Sequence, residues 1–494
     1  MTLKNPRWFL AGGLACALLF AALQLMRLGF ISLGEGPRPA DRWPSPVSLE
    51  GQERWMMILQ DGQRIGTSHT RLEPLAAGYR LKETVRMRLN TMGLVQDLVL
   101  ASSGWLNPDL TLDRFTFTLQ SGRFAFGVRG RVESGHLVCQ VRTGDEERPL
   151  RLALDGPLYL TAGILPALIR ADPVPGEQQV FAVFDPATLA RVPLTATLLG
   201  RETITLGQDT VQAWKVLLVF KGITQEAWLD DTGQVLREKG LLGIRQERVS
   251  RTEALAGEAV TVGGDLTRVA AVVPDRVLPE PGGLTRLTLQ LAGVDVARYR
   301  LDGGRQRLAH DRLTVTRETL SDLPERLSRR DLPPAAAASL APSPFVQSDH
   351  PAIRSLAARL ADPNAPPIDN LRRLIDWMQA NIARRPVLSV PNALGTLQHR
   401  MGDCNEHAVL LAALARAAGY PAQVETGLVY LEGRFYYHAW NRVYLGRWIT
   451  VDALFGQLPA DVSHIRFARG SAGEQLDLLP LIGNLKIRVL GTEP

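Results

Sequence analysis

Gly402-Asp403-Cys404-Asn405-Glu406-His407-Ala408, running into Val409-Leu410-Leu411-Ala412-Ala413-Leu414-Ala415-Arg416-Ala417-Ala418-Gly419, decides how the C-terminal part of this 494-residue chain folds. From Cys404 onward, Val409, Leu410, Leu411, Leu414 and Ala418 recur at helical spacing, and Gly419 stands where a helix C-cap needs a left-handed residue. Asp403 reads as the helix cap. Cys404 therefore falls in the first turn of a buried helix. At that position the helix dipole and the free amide groups are expected to favour the thiolate, lowering the thiol pKa. The same amides could later hold an oxyanion.

Two hairpins are expected downstream. A strand over 423–430 turns at Glu432-Gly433 into a strand over 435–444, which turns at Leu445-Gly446 into a strand over 448–452. His438 and Asp452 then lie on adjacent antiparallel strands. With a three-residue loop at 444–446, Val443 pairs with Arg447 and His438 sits opposite Asp452 on one face. A two-residue loop would slip the register by one and send the two side chains to opposite faces. In the first register the roles follow: Cys404 attacks a carboxamide, His438 takes and returns the proton, and Asp452 orients the imidazole.

Upstream, His350 or Asp349 before Pro351 marks a helix start. Leu371, Leu374, Ile375, Met378 and Ile382 form a stripe that buries one helix face. The blocks Gly402-Asp403-Cys404-Asn405-Glu406-His407-Ala408, Ala418-Gly419-Tyr420-Pro421-Ala422, His438-Ala439-Trp440 and Val451-Asp452 together resemble the core of bacterial transglutaminase-like proteins. The resemblance covers roughly residues 348–467, about a quarter of the chain. It implies a papain-like α+β domain with a Cys-His-Asp triad at Cys404, His438 and Asp452. It also implies acyl transfer from an amide to an amine or to water, without a cofactor. Cross-linkers, peptidases and amidases all occur in that family, so the acceptor does not follow. Gln398, six residues before Cys404, is an oxyanion candidate. Trp440 and Tyr436 share the face of His438 and either wall a substrate groove or are core aromatics. His407 would complete a Cys/His/His/Asp zinc site, but its place in the motif makes it a helix residue, and no metal is expected.

Three cysteines, Cys16, Cys139 and Cys404, stand far apart with no CxxC pair, which excludes a disulfide framework. Cys139 lies in an alternating stretch and reads as a buried strand residue. The net charge of +6 is spread without a run of basic residues, so no nucleic-acid partner is expected. Residues 8–26 carry no formal charge between Lys4 and Arg7 on one side and Arg27 on the other. Such a helix is about 28 Å long, enough for a bilayer core. No cleavage site follows it, so a signal anchor over 1–30 is expected, with a Pro/Gly-rich tether over 31–46 and the body outside the cytoplasm, in the periplasm where one exists.

Residues 47–260 alternate polar and apolar in short runs, with Ser121-Gly122 and Asp231-Thr232-Gly233 as turns and one helix near 158–170. An antiparallel β-rich domain, curved or half-barrel, is expected there. A second β segment follows at 261–330, then a Pro/Ala-rich linker at 331–345 and the catalytic domain at 346–494. A protein or peptide is the expected substrate of the whole multidomain chain. The competing reading is a scaffold whose triad domain only binds peptides while the β-domain recruits partners.

Overall fold

The computed structural model describes residues 51–144, 146–256, 260–470 and 476–494. The expected N-terminal anchor and tether lie outside the described residues. Among the described residues no helix is long and apolar enough to cross a membrane. The chain divides into two units, one ending at Asp265 and one spanning Leu266–Pro494.

The described residues of the first unit form one sheet of 15 strands. The Gln52–Gln60 strand stands inside it, paired with Gln63–Leu75 on one side and Ile244–Val249 on the other. Antiparallel hairpins run outward from there to Glu146–Ala153 at one edge. The two-residue Tyr159–Leu160 strand closes the other edge, parallel to Gln178–Asp185. Alternation makes one face apolar: in Leu112–Ser121 the side chains of Phe115, Phe117 and Leu119 are buried while those of Arg114, Thr116 and Thr118 are exposed. The sheet curls on that face, because Phe115 meets Phe184 of the far half at 5.3 Å and the Leu112 amide donates to the Leu158 carbonyl at 2.7 Å. The expected helix is shorter than its pattern suggested. Tyr159–Leu160 is a strand, Thr161–Gly163 a 3-10 turn, and only Ile164–Arg170 is α-helical. Cys139 is buried in this unit, and burial pushes its thiol up to about 12.

The second unit begins earlier than the sequence suggested. Arg286–Ala292 pairs with the C-terminal strand Lys486–Glu493 in a four-stranded sheet of order Gln306–Ala309, Arg312–Thr316, Arg286–Ala292, Lys486–Glu493. The second β segment is therefore part of the C-terminal unit. The stretch 331–345 is also packed. It forms the short helix Pro334–Ala337 and the turn Ala338–Leu340, buries Ala336 and Ser339, and takes hydrogen bonds from Gln423 to Ser339 Oγ (2.6 Å) and from Arg416 to the Ala341 carbonyl (2.7 Å). Alanine is a strong helix former as well as a linker residue, and here packing decides.

At the centre of this unit lies the Cys404–Ala417 helix, buried at every position from Cys404 to Ala415, as expected of a helix apolar all round. Gly419 follows its end at φ +95, the left-handed conformation that suits glycine. Helices Pro351–Leu360, Pro367–Asn381 and Ala393–His399 pack around it. The predicted stripe of Leu371, Leu374, Ile375, Met378 and Ile382 is buried, and the His350 ring accepts the Ala352 amide at the start of Pro351–Leu360. On the other side stands the antiparallel sheet Trp448–Val451, Arg434–Tyr444, Ala422–Leu431, Ile465–Arg469. Its first hairpin turns tightly at Glu432 (φ +46) and Gly433 (φ +86), with Leu431 opposite Arg434.

Candidate active site

The second hairpin sets the site. Its loop has three residues, but they are 445–447, so Tyr444 pairs with Trp448 and Asn441 with Val451. The expected pairing of Val443 with Arg447 is thus displaced by two residues, and Val443 faces Ile449. An even shift keeps every side chain on its face. Asp452 follows the last paired residue and stands diagonal to His438 instead of opposite it. The side chains span that diagonal: His438 Nε2 lies 2.6 Å from Asp452 Oδ2. With Nε2 carrying the proton toward the carboxylate, the unprotonated nitrogen is Nδ1, which is buried and has no hydrogen-bond partner among the described residues.

Cys404 comes to the same place from the helix side. Its Sγ accepts the amide of Ala439, the residue after His438, at 3.2 Å. Cys404, His438 and Asp452 are each at most 1% exposed. Aromatic rings fix the imidazole: Phe455 stacks on it at 4.8 Å and 12°, and Trp440 at 6.0 Å and 23°. Trp440 is itself buried and donates from Nε1 to Glu425 at 3.1 Å. It is thus placed as a support of the ring. Gln398 is exposed on the Ala393–His399 helix, and no hydrogen bond joins it to the thiol.

The helix start does not have the electrostatics expected of it. Asp403 and Glu406 form a capping box: the Asp403 carboxylate takes the Asn405 and Glu406 amides, and the Glu406 side chain takes the Asp403 amide. Two amides that were to hold the thiolate are consumed by a carboxylate. Burial pushes the Cys404 thiol well above the usual range, with Asp403, Asp452 and Glu406 adding to it and the Ala439 amide opposing. The expectation of a lowered thiol pKa is corrected. Burial also lowers the pKa of His438, only partly countered by Asp452. His407 donates from Nδ1 to the Asp403 carbonyl at 2.7 Å, and burial lowers it to about 4. It is a neutral helix residue.

A second histidine, which sequence reasoning missed, touches the site. His464 Nε2 lies 3.0 Å from Asp452 Oδ2, and its Nδ1 lies 3.1 Å from Asp461 Oδ1. Asp452 Oδ1 accepts the Phe455 amide at 3.0 Å, so both carboxylate oxygens are held. Burial works against charge on Asp452, but His438 and His464 outweigh it and keep the carboxyl far below its usual range.

Residues 354–453 match the family model described as the transglutaminase-like superfamily, so the chain carries a transglutaminase-like core domain there. The match supports a cysteine-type enzyme. No curated protein matches the chain. Among solved structures, a candidate cysteine protease from Cytophaga hutchinsonii is similar at 20% identity and a TM-score of 0.29, over 41% of this chain and 83% of that one. The periplasmic domain of TgpA from Pseudomonas aeruginosa is similar at 17% identity and a TM-score of 0.25, over 38% of this chain and 87% of that one. A β-barrel-like protein of a domain family of unknown function from Brucella abortus is similar at 12% identity and a TM-score of 0.31, over 41% of this chain and 98% of that one.

Proposed function

We propose that the protein is a membrane-anchored cysteine acyltransferase or amide hydrolase acting on protein or peptide amides, with Cys404, His438 and Asp452 as its triad. The observation that carries the reading is the direction of the His438 ring. Asp452 accepts the hydrogen bond of the Nε2–H at 2.6 Å, which leaves Nδ1 as the open base on a ring whose neighbouring amide touches the thiol sulfur. Cys404 Sγ attacks the amide carbonyl carbon as His438 Nδ1 takes the thiol proton. The tetrahedral centre collapses when His438 returns that proton to the leaving nitrogen, which departs as an amine and leaves a thioester on Cys404. Water or a second amine, deprotonated by the same nitrogen, then displaces the thiol. Asp452 keeps the ring in the tautomer this cycle requires.

The β-rich unit is read as the part that recruits or presents the substrate. A non-catalytic scaffold is the second reading, favoured by the full burial of the thiol. A thiol-reactive peptide amide probe on the full-length protein separates the two. The enzyme reading expects labelling of Cys404, none in Cys404→Ala, and loss of at least a thousandfold in His438→Ala. Asp452→Ala should lose less, because it orients the ring and does not carry the proton. Equal labelling of wild type and His438→Ala would leave the scaffold.

A further inference from the structure

The carboxylate at the end of the triad is held from behind by a residue that the family match, ending at 453, does not reach. His464 is 0% exposed, and each of its ring nitrogens faces a carboxylate, Asp452 at 3.0 Å and Asp461 at 3.1 Å. A neutral imidazole has one N–H, and two carboxylate partners call for two. We infer that His464 is a fixed imidazolium and a positioning residue, clamping Asp452 in the orientation that holds His438. The inference rests on the triad reading above for its role, though not for its protonation.

The clamp is built on every side. Asp461 is oriented by the Ser463 amide (2.9 Å) and hydroxyl (2.6 Å) on Oδ1 and by the Gln457 side chain on Oδ2 (2.9 Å). Gln457 in turn exchanges backbone hydrogen bonds with Asp452 in both directions, 3.0 and 2.9 Å. A closed ring of hydrogen bonds therefore runs from Asp452 through Gln457 and Asp461 to His464 and back. Arg305, in the turn before the Gln306–Ala309 strand, donates to the His464 carbonyl at 2.9 Å and fixes the backbone as well. Trp440 and Phe455 pack edge-on against the ring at 5.2 and 5.8 Å and exclude water.

The charged and titratable groups around the pair are Asp452, Asp461 and His464 on the loops, Arg384 on the Ala383–Arg384 strand, and Cys404, Asp403, Glu406 and His407 on the helix. Burial opposes charge on His464, but Asp461 and then Asp452 outweigh it and raise its pKa to about 9. Burial is the main reason His438 rests neutral, and the His464 cation, sharing the charge of Asp452, adds to it. Removing the cation strengthens the pull of Asp452 on the His438 proton. His438 then needs a higher pH to become the free base, and the acid limb of the rate profile moves upward.

The test uses full-length protein labelled with 15N-histidine, the His464 signals being assigned by their loss in His464→Gln. Both ring nitrogens of His464 should remain protonated between pH 6 and about 8, below the raised value for this ring. A neutral ring at pH 7, or ring signals that move on addition of Zn²⁺ to the His438, Asp452 and His464 set, overturns the clamp. Amide-probe labelling of Cys404 gives the functional arm. His464→Gln should label roughly tenfold to a hundredfold more slowly, as when an orienting partner of a reactive ligand is removed, with an acid limb at higher pH. Asp461→Asn, which keeps a hydrogen-bond acceptor and loses the charge, should label normally at pH 6 and fall off as the pH rises and His464 deprotonates. A pH profile unchanged in both variants removes the positioning role. Should wild-type Cys404 itself fail to label, the triad reading falls while the nitrogen signals still report on the clamp.

Discussion

Glu425→Gln tests whether the ring under His438 rests on charge. Glu425 is 3% exposed in the middle of the sheet. Arg469 donates to its Oε1 from Nε at 2.9 Å and from Nη2 at 2.8 Å, and the guanidinium groups of Arg466 and Arg442 lie at 3.7 and 3.9 Å. Its other oxygen takes the Trp440 indole N–H. Burial pushes the carboxyl up, yet Arg466, Arg469 and Arg442 outweigh it and hold it below the usual range. Glutamine keeps the volume but leaves three cations around a neutral amide. Breaking a buried pair from one side costs about 3–5 kcal/mol. The low end applies here, because Arg466 keeps carbonyl partners at Arg300 (2.8 Å), Asp302 (2.9 Å) and Gly303 (3.2 Å). About 3 kcal/mol corresponds to a Tm lower by roughly 6–12 °C in a unit of this size. The sign with pH is fixed too. A carboxyl whose folded pKa is depressed stabilises above its unfolded value and loses that contribution as the pH falls through the folded one. Calorimetry of wild type and variant should therefore show a gap that is full at pH 7 and narrows as the pH is taken down from 5. A gap under 2 °C at pH 7, or one that does not change toward acid, refutes the reasoning.

Iodoacetamide should modify Cys404 slowly in the native protein even at the ordinary thiol value of about 8.5, because burial holds this thiol well above it; rapid labelling at pH 6, measured by mass spectrometry, would mean the thiol is neither buried nor raised. Cys139, pushed up to about 12 in its strand, should stay unmodified until the first unit unfolds. Protease added to spheroplasts of a host with a periplasm should digest the chain beyond about residue 34, as the charge-free run 8–26 and its basic flanks imply; full protection until lysis would place the body on the cytoplasmic side.

The parts of the fold legible in the sequence are those whose causes are local. The cysteine helix announces itself through its period, Asp403 before it and Gly419 after it, and the first hairpin through Glu432-Gly433. The face shared by His438 and Asp452 was readable from parity alone, although the register was off by two, because the composition of Tyr444-Leu445-Gly446-Arg447 does not say which three residues make the loop. The boundary of the C-terminal unit was not readable. The partner of Arg286–Ala292 is Lys486–Glu493, and a pairing so remote in sequence leaves no local mark. His464 was missed for a related reason: it follows an irregular turn from Asp452 to Asp461, where no period of two or 3.6 carries a side chain to a known face. Its one local signal is Asp461-Val462-Ser463-His464, a turn-forming Asp bonded to Ser463 two residues on and to the His464 ring three residues on.

The error about the thiol bears most on mechanism. A helix start was expected to create a thiolate, but dipole and amides stabilise an anion only while they remain unspent. Here the cap is an aspartate, the third helical residue is a glutamate, and together they neutralise the amide end of the helix with carboxylates next to the sulfur. On the sheet side burial lowers the pKa of His438 against the pull of Asp452, and His464 adds to the lowering, so the ring is not drawn into an imidazolium. Cysteine and histidine are therefore held apart from an ion pair from both directions. On the triad reading proposed above, the thiol is activated during attack, by proton transfer to His438 as the carbonyl arrives, and not beforehand. A buried, neutral sulfur is also a poor target for oxidants, since oxidation follows thiolate character and exposure. The arrangement exchanges resting nucleophilicity for protection of the thiol.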